Sequence, residues 1–252
     1  MTDDHALARD LAVQAGEQLL GLRAQGGDPD VLRKAGDRLS HEFLAAALAG
    51  RRPDDVVLYE EAADNPARLG ARRVWIVDPL DGTREFGEPG RTDWAVHVAL
   101  WEDGGLTVGA VALPAQGTVL STAEPPPGPP PDAAPPKIRI VVSRSRPPRF
   151  VRNISELIDA ELVPMGSAGA KVAAVVRGEV DAYVHGGGFY EWDTAAPVAV
   201  ARAAGFHASR IDGSALAYNQ ADLLMPDILV CRPAVAGSIL QAIREVTNAS
   251  AS

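Results

Sequence analysis

Hydrophobic positions in the first fifty residues recur at helical spacing. Leucines three, four or eight residues apart place one apolar face on the segment 6–23, which predicts an amphipathic helix. The segment 37–49 has the same character, and Asp37 at its start is a candidate N-cap. A short strand is predicted for VVLY at 56–59, directly before a pair of glutamates.

The pattern then changes to that of buried strands. The run 74–77 is continuously apolar, as expected for a strand that is covered on both faces. Two further strands, 94–101 and 106–113, are separated by Glu-Asp-Gly-Gly, which is a hairpin signal, and 118–122 can add a third. The first half of the chain therefore predicts an antiparallel meander.

Strands and helices alternate in the second half. The proline-rich stretch 124–136 cannot donate sheet hydrogen bonds, so it predicts a surface loop in extended conformation. The elements after it are strands at 138–142, 180–184 and 227–230 and helices at 150–159, 169–177, 194–204 and 234–246. The prediction is a mixed α/β chain with two halves, 1–136 and 137–252, that form one compact unit.

Composition narrows the class of protein. The chain has 252 residues, 46% hydrophobic and 23% charged, which is ordinary for a globular protein. Its net charge of −9 argues against binding to nucleic acid or to an anionic membrane surface. The single cysteine excludes an internal disulfide and fits a reducing cytoplasm, and neither a signal peptide nor a membrane span is expected.

Acidic residues stand where predicted elements begin or end. Asp78 and Asp81 follow a buried strand in DPLDGT, and Glu60, Asp193 and Asp37 stand at the ends of other elements. Hard cations such as Mg²⁺ prefer oxygen ligands of this kind. Four of these five acids also have a simpler interpretation, because Asp37, Asp81 and Asp193 fit N-caps and Glu60 fits a solvated surface residue.

The combination of EE, WIVDPLDGTREF and WDTAAPVAVARAAG resembles the inositol monophosphatase superfamily of Mg²⁺-dependent, lithium-sensitive phosphatases. The resemblance implies two or three Mg²⁺ ions that are bound by both DPLD aspartates and by three further groups. These implied ligands are Glu60, Asp78, the Leu80 carbonyl, Asp81 and Asp193.

The same resemblance implies catalytic roles. Thr83, together with Asp37, would orient and deprotonate the attacking water, with Glu60 beside them. The amides of Gly82 and Thr83, at the start of a helix, would contact phosphoryl oxygens. The implied fold is a layered αβαβα sandwich of the inositol monophosphatase and fructose-1,6-bisphosphatase type, often assembled as a homodimer.

Smaller motifs are similar to one branch of the superfamily, the CysQ-like bisphosphate nucleotidases. VVSRSR, GSAGAK and WDTAAP resemble segments of these enzymes. The resemblance implies hydrolysis of the 3'-phosphate of 3'-phosphoadenosine 5'-phosphate, with 3'-phosphoadenosine 5'-phosphosulfate as a second substrate, and hence a place in sulfur assimilation. The candidate substrate residues are Arg144, Arg146, Lys171 and His185, with Gly82, Thr83 and Asp193.

Two alternatives stay open at this point. An inositol monophosphatase or a fructose-1,6-bisphosphatase would use the same metal site, because the metal cluster recognises the phosphate and loops recognise the rest. A metal-binding protein without catalytic activity would lack a ligand or the threonine, and all of these residues are present in the sequence.

Overall fold

In the part of the chain that the computed structural model describes, residues 3–128, 135–145 and 147–251, two five-stranded sheets form the frame. The strands of the first sheet are β1 (Val56–Tyr59), β2 (Arg73–Asp81), β3 (Ala95–Glu102), β4 (Gly105–Leu113) and β5 (Thr118–Ser121). They lie in sequence order, with β1 parallel to β2 and the other neighbours antiparallel. The predicted meander is confirmed.

The second sheet comes from the C-terminal half. Its strands are β6 (Arg139–Ser143), β7 (Glu161–Met165), β8 (Ala182–His185), β10 (His207–Ser209) and β12 (Ile228–Cys231), and they lie in the order β10-β12-β8-β6-β7. The short strands β9 (Phe189–Tyr190) and β11 (Leu224–Met225) pair with each other. The three strands predicted here are confirmed, whereas β7, β9, β10 and β11 were not predicted.

Helices form three layers around the sheets. They are α1 (Asp4–Ala24), α2 (Pro29–Arg51), α3 (Thr83–Gly87), α4 (Arg149–Leu157), α5 (Ala168–Val176), α6 (Glu191–Ala203) and α7 (Pro233–Ala251). One apolar core joins α1 and α2 to the outer face of the first sheet. A second core joins α5 and α6 to the inner faces of both sheets, and a third joins α4 and α7 to the outer face of the second. The layered αβαβα sandwich is confirmed.

The start of α2 corrects the sequence interpretation. The helix begins at Pro29, and the carboxylate of Asp28 accepts from the amides of Asp30 and Val31 over 2.9 and 3.2 Å. Asp37 therefore lies inside the helix, and its interpretation as an N-cap is wrong. Its side chain is available for another role.

Two further expectations concern the chain as a whole. Within the described ranges, no helix has both the length and the apolar character needed to cross a bilayer. The proline-rich stretch predicted as a loop is described only in part, because residues 129–134 lie outside the described residues.

Candidate active site

β2 ends in a corner that holds two carboxylates. The pairing of β2 with β3 shifts register between Asp78 and Asp81, so the strand bends at Pro79. The amide of Leu80 donates to Oδ1 of Asp78 over 3.0 Å. Ser40 of α2 donates its hydroxyl to the Pro79 carbonyl over 2.6 Å, which fixes the corner against the helix behind it.

Asp193 completes a cluster of three carboxylates. One oxygen from each of Asp78, Asp81 and Asp193 lies within 4.8 Å of the other two. Asp193 is the third residue of α6, and its carboxylate accepts from the Tyr190 amide. Its interpretation as the N-cap is therefore wrong, because Tyr190 occupies that position. A set of oxygen donors at this spacing suits a hard divalent cation such as Mg²⁺.

Glu60 adds a fourth acid to the cluster. It follows β1 directly, and its amide donates to the Val77 carbonyl over 3.4 Å, so β1 extends beside the corner of β2. The Glu60 carboxyl shares a hydrogen bond with Asp78. Although part of the residue is open to solvent, desolvation of its carboxyl, followed by the charges of Asp193 and Glu61, raises the pKa of Glu60 to about 7.

The same crowding acts on two other members of the cluster. Burial, followed by the charge of Glu60, raises the pKa of Asp78 well above its usual range. Burial, followed by the charge of Asp81, raises the pKa of Asp193 to about 6. A divalent cation would relieve this repulsion, so the chemistry of the donor set fits Mg²⁺.

Asp81 is stabilised as a carboxylate. Its oxygens accept from the Ser167 hydroxyl and from the Ala168 and Gly169 amides, over 3.2 and 2.6 Å, at the first turn of α5. Burial opposes the charged form, but the nearby His97 and these contacts outweigh it and lower the pKa of Asp81 to about 2. Asp81 is not the cap of its own helix, since Gly82 holds that position with φ of 82°.

Thr83 and Asp37 lie together beside this cluster. The Thr83 hydroxyl has two acceptors within reach, Oδ1 of Asp37 at 3.2 Å and the Leu80 carbonyl at 3.0 Å. Burial, followed by the charge of Glu61, raises the pKa of Asp37 to about 6. A carboxyl with that pKa can accept a proton near neutral pH and release it again.

A cleft of about 480 Å³ opens next to Asp81 and Asp193. Lys171 and His185 lie in its wall, together with the glycine run 186–188 and Phe150. The Lys171 ammonium donates to the carbonyls of Gly166 and Ser167 over 3.2 and 2.7 Å, and burial lowers its pKa. The structure thus brings three of the seven substrate candidates, Lys171, His185 and Asp193, to one cleft.

A second cleft, of about 660 Å³, borders the start of α3. Gly82, Thr83 and Arg144 lie in its wall, and it shares Lys171 with the first cleft. The Arg144 guanidinium donates to the carboxylates of Glu85 and Glu88 over 2.8 and 2.9 Å, so a ligand would share this arginine with two acids. Arg146, the remaining candidate, lies outside the described residues.

The sequence interpretation did not include two residues that touch the cluster. His97 lies on β3 with no exposed surface, and its Nε2 is 3.3 Å from Oδ2 of Asp81. Ser167 bonds Asp81 with its hydroxyl and has a φ of 48°, which is rare for a residue other than glycine. The sequence signal that could have identified His97 is the presence of a histidine in the otherwise apolar run WAVHVAL.

Comparison with known proteins agrees with this geometry. The sequence pattern of the inositol monophosphatase family matches residues 5–248. The chain is 51% identical to the 3'-phosphoadenosine 5'-phosphate phosphatase of Mycobacterium leprae over 255 residues, which cover 96% of this chain and 94% of that protein. It is 31% identical to the 3'(2'),5'-bisphosphate nucleotidase CysQ of Escherichia coli K12 over 230 residues, which cover 83% of this chain and 91% of that protein.

A solved structure supports the same relationship. The crystal structure of CysQ from Bacteroides thetaiotaomicron, a bacterial member of the inositol monophosphatase family, matches with a TM-score of 0.75 at 28% identity. The match covers 91% of this chain and 97% of that one. Sequence and fold therefore point to the same group of proteins.

Proposed function

The chain belongs to the inositol monophosphatase family, and from that premise we propose that it is a metal-dependent phosphomonoesterase that hydrolyses the 3'-phosphate of 3'-phosphoadenosine 5'-phosphate. The products are AMP and phosphate, and 3'-phosphoadenosine 5'-phosphosulfate is a second substrate. The observation that carries the proposal is the convergence of Asp78, Asp81 and Asp193 beside the Thr83–Asp37 pair. The mycobacterial relative at 51% identity supports the choice of substrate.

Five groups would hold two or three Mg²⁺ ions: the carboxylates of Glu60, Asp78, Asp81 and Asp193 and the Leu80 carbonyl. When bound, the ions would lower the pKa of the attacking water and neutralise charge on the phosphoryl oxygens. Li⁺ is expected to inhibit, as in the family that the sequence resembles. The Leu80 carbonyl accepts from the Thr83 hydroxyl, so metal binding and the catalytic pair share one peptide group.

Thr83 and Asp37 orient and deprotonate the water. A threonine hydroxyl has one proton and two lone pairs, so when it donates to Asp37 its lone pairs can accept from water. That contact fixes the direction in which the water's own lone pair points. Asp37, with its pKa at about 6, takes up the proton as water attacks phosphorus and the bond from phosphorus to the 3'-oxygen breaks, and the leaving 3'-oxygen takes a proton from solvent water. The amides of Gly82 and Thr83 would stabilise the phosphoryl oxygens.

The cleft of about 480 Å³ beside Asp81 and Asp193 would hold the rest of the substrate. This volume falls in the ordinary range for small-ligand sites. Lys171, with Arg144 and Arg146, would meet the 5'-phosphate, and His185 the sugar or base. We expect a homodimer from the family resemblance.

The proposal is tested by measuring phosphate release from a panel of substrates with Mg²⁺. 3'-Phosphoadenosine 5'-phosphate is expected to give a kcat/KM at least about tenfold above inositol 1-phosphate and fructose 1,6-bisphosphate, since only the nucleotide has both a second phosphate for Lys171 and Arg144 and a base for the cleft wall at His185. Chelation of the metal should abolish release, and Li⁺ should reduce it.

A variant with a side chain of the same size tests the proposed site without disturbing the fold. Asp81→Asn keeps the size of the side chain but removes a carboxylate from the cluster, so kcat should fall by about a thousandfold or more. Its circular dichroism spectrum should match that of the unaltered protein. Equal turnover by the variant would refute the proposed site, and preference for a sugar or inositol phosphate would refute the proposed substrate.

A further inference from the structure

One face of β3 carries a polar ring among apolar neighbours. His97 is fully buried and lies between Ala95 and Ala99 on the face that meets α5 and α6. Burial of an imidazole costs free energy unless its ring nitrogens find polar partners. The position of those partners therefore shows what the ring does.

The oxygens nearest His97 are carboxylate oxygens of Asp78 and Asp81 and the main-chain oxygen of Trp192, the residue before Asp193. Nδ1 donates to the Trp192 carbonyl over 3.2 Å, in the first turn of α6 directly before Asp193. Nε2 lies 3.3 Å from Oδ2 of Asp81, off the line of an ideal hydrogen bond. Oδ2 of Asp78 is 3.9 Å from Nδ1.

Gly169 shows how closely the ring is enclosed. A Cβ atom at this position would lie 2.0 Å from Nε2 of His97, so only glycine allows α5 to approach β3 here. The Gly169 amide donates to the same Asp81 oxygen that faces His97, over 2.6 Å. Asp81 is thus held between the ring on one side and the first turn of α5 on the other.

We propose that His97 is a positioning residue that sets the spacing between Asp81 and the first turn of α6, and through it the position of Asp193. One rigid ring spans the gap from Oδ2 of Asp81 to the carbonyl of Trp192, the residue directly before Asp193. The inference rests on the proposed function, because this spacing matters for activity only if the two carboxylates share a cation. Groups that orient metal ligands typically change metal affinity by about 10- to 100-fold when they are replaced.

Three substitutions of His97 distinguish positioning from simple filling of space. His97→Leu fills the volume without polar atoms, His97→Asn retains a donor near the place of Nδ1, and His97→Gln puts its amide near the place of Nε2 instead. Val98→Ala is the control, because Val98 is equally buried on the opposite face of β3. Mg²⁺ affinity is measured by calorimetry on the metal-free proteins, with folding checked by circular dichroism and denaturation.

His97→Leu should weaken Mg²⁺ binding by about tenfold or more, while His97→Asn recovers most of the affinity because it keeps the donor to the Trp192 carbonyl. His97→Gln, whose amide lies toward Asp81, should recover less. Val98→Ala should lower stability and leave Mg²⁺ affinity unchanged. A folded His97→Leu protein that binds Mg²⁺ as the unaltered protein does would overturn the inference. Equal affinities of the Leu and Asn variants would also overturn it, since volume alone would then explain the residue.

Different results would refute the proposed function and the proposed role of His97. If the unaltered protein binds Mg²⁺ and Asp81→Asn does not, the metal site stands and only the role of His97 is decided by its variants. If the unaltered protein shows no Mg²⁺ binding and no phosphate release, the proposed function itself fails. Should His97→Leu not fold, the Asn and Gln variants, which keep polar atoms in the pocket, decide the question.

Discussion

Glu60, Asp78 and Asp193 hold protons more tightly in the folded chain than carboxyls do in water. Desolvation, followed by mutual repulsion, raises the pKa of Glu60 to about 7 and that of Asp193 to about 6, and it raises the pKa of Asp78 as well. An unfolded carboxyl has a pKa of about 4. Folding without a cation is therefore opposed by this cluster at neutral pH.

The stability of the metal-free protein should fall as pH rises from about 5 to about 7.5. In this window the folded state binds more protons than the unfolded state, so the free energy of unfolding decreases with pH. Asp81, with its pKa at about 2, titrates below the window. Mg²⁺ must displace the extra protons, so the rise in melting temperature on adding Mg²⁺ should be larger at the upper pH.

Differential scanning calorimetry with chelator and with Mg²⁺, at both ends of the window, measures this effect. Asp193→Asn is the control, because it removes one of the repelling charges. This variant should be more stable than the unaltered protein without metal at the upper pH, and should gain less from Mg²⁺. An equal gain from Mg²⁺ at both pH values would contradict the proposed origin of the pKa shifts.

The site was predictable at the residue scale only where its chemistry is local in sequence. Asp78 and Asp81 are three residues apart and follow one strand, so the pattern alone suggested a shared cation. Glu60 and Asp193 stood out only as acids at the ends of other elements, and it was the family resemblance that implied their role as ligands. His97 and Ser167 were not predicted. Their contacts with Asp81 form only where β3 and α5 meet the corner of β2, and no local sequence pattern records that meeting.

At the scale of elements, the errors have specific packing causes. The sequence interpretation began α2 at Asp37 because an aspartate fits an N-cap. In the structure Gly36 lies inside the helix, where a Cβ atom would lie 2.7 Å from the Phe86 ring, so the glycine permits close packing of α2 on α3. β7, which was not predicted, contains Pro164 and lies at a sheet edge, where proline is tolerated.

The short helix α3 depends on a residue of α1. A five-residue helix is not stable alone, and it carries Thr83 at its first position. Arg23 donates to the carbonyls of Glu88 and Arg91, over 2.6 and 2.7 Å, just beyond the end of α3. Its guanidinium also lies 5.8 Å from the centroid of the Phe86 ring. These contacts anchor the segment that follows Thr83.

Arg23→Met should lower the free energy of unfolding by about 2 kcal/mol, because charge-assisted hydrogen bonds to two carbonyls are lost while the aliphatic packing is retained. Urea denaturation measures the change. Arg9→Met, on the same helix, is the control, since Arg9 makes only a 3.7 Å ion pair with Asp10 at a partly exposed position. Its effect should stay within about 0.5 kcal/mol. Equal losses in the two variants would show that α3 does not depend on this anchor.

At the scale of the whole molecule, a buried polar network joins the two halves of the chain beside the site. Arg68 is fully buried and donates to the side-chain oxygen of Asn219 over 2.8 Å and to the Gln220 carbonyl over 2.7 Å. Glu191, also fully buried, accepts from the Asn219 and Gln220 amides, each over 2.7 Å. Arg68 follows the loop that begins at Glu60, and Glu191 precedes Asp193. The network therefore connects the loop after Glu60 to the start of the helix that carries Asp193.

Replacing Arg68 should therefore affect stability and metal binding together. Arg68→Met leaves the Asn219 side-chain oxygen and the Gln220 carbonyl without the guanidinium donor and removes the ion pair with Asp64, which should lower the free energy of unfolding by about 2 kcal/mol or more. The loop from Glu60 would also lose the two guanidinium bonds to the 219–220 segment, so we expect weaker Mg²⁺ binding. Denaturation of the metal-free protein and calorimetric titration with Mg²⁺ measure the two effects separately.

Arg72 provides the matched control for this prediction, because it lies four residues away and pairs with Asp103 at the surface. Its side chain is 79% exposed, so Arg72→Met should change stability by less than about 0.5 kcal/mol and leave Mg²⁺ binding unchanged. A milder probe is Asn219→Gly, since Asn219 has a φ of 60° that glycine adopts without strain. Asn219→Gly removes only the hydrogen bonds between the Asn219 side chain and Arg68. Its loss of stability should therefore lie between those of the two arginine variants. If Arg68→Met loses stability but keeps its Mg²⁺ affinity, the network supports the fold without setting the geometry of the site.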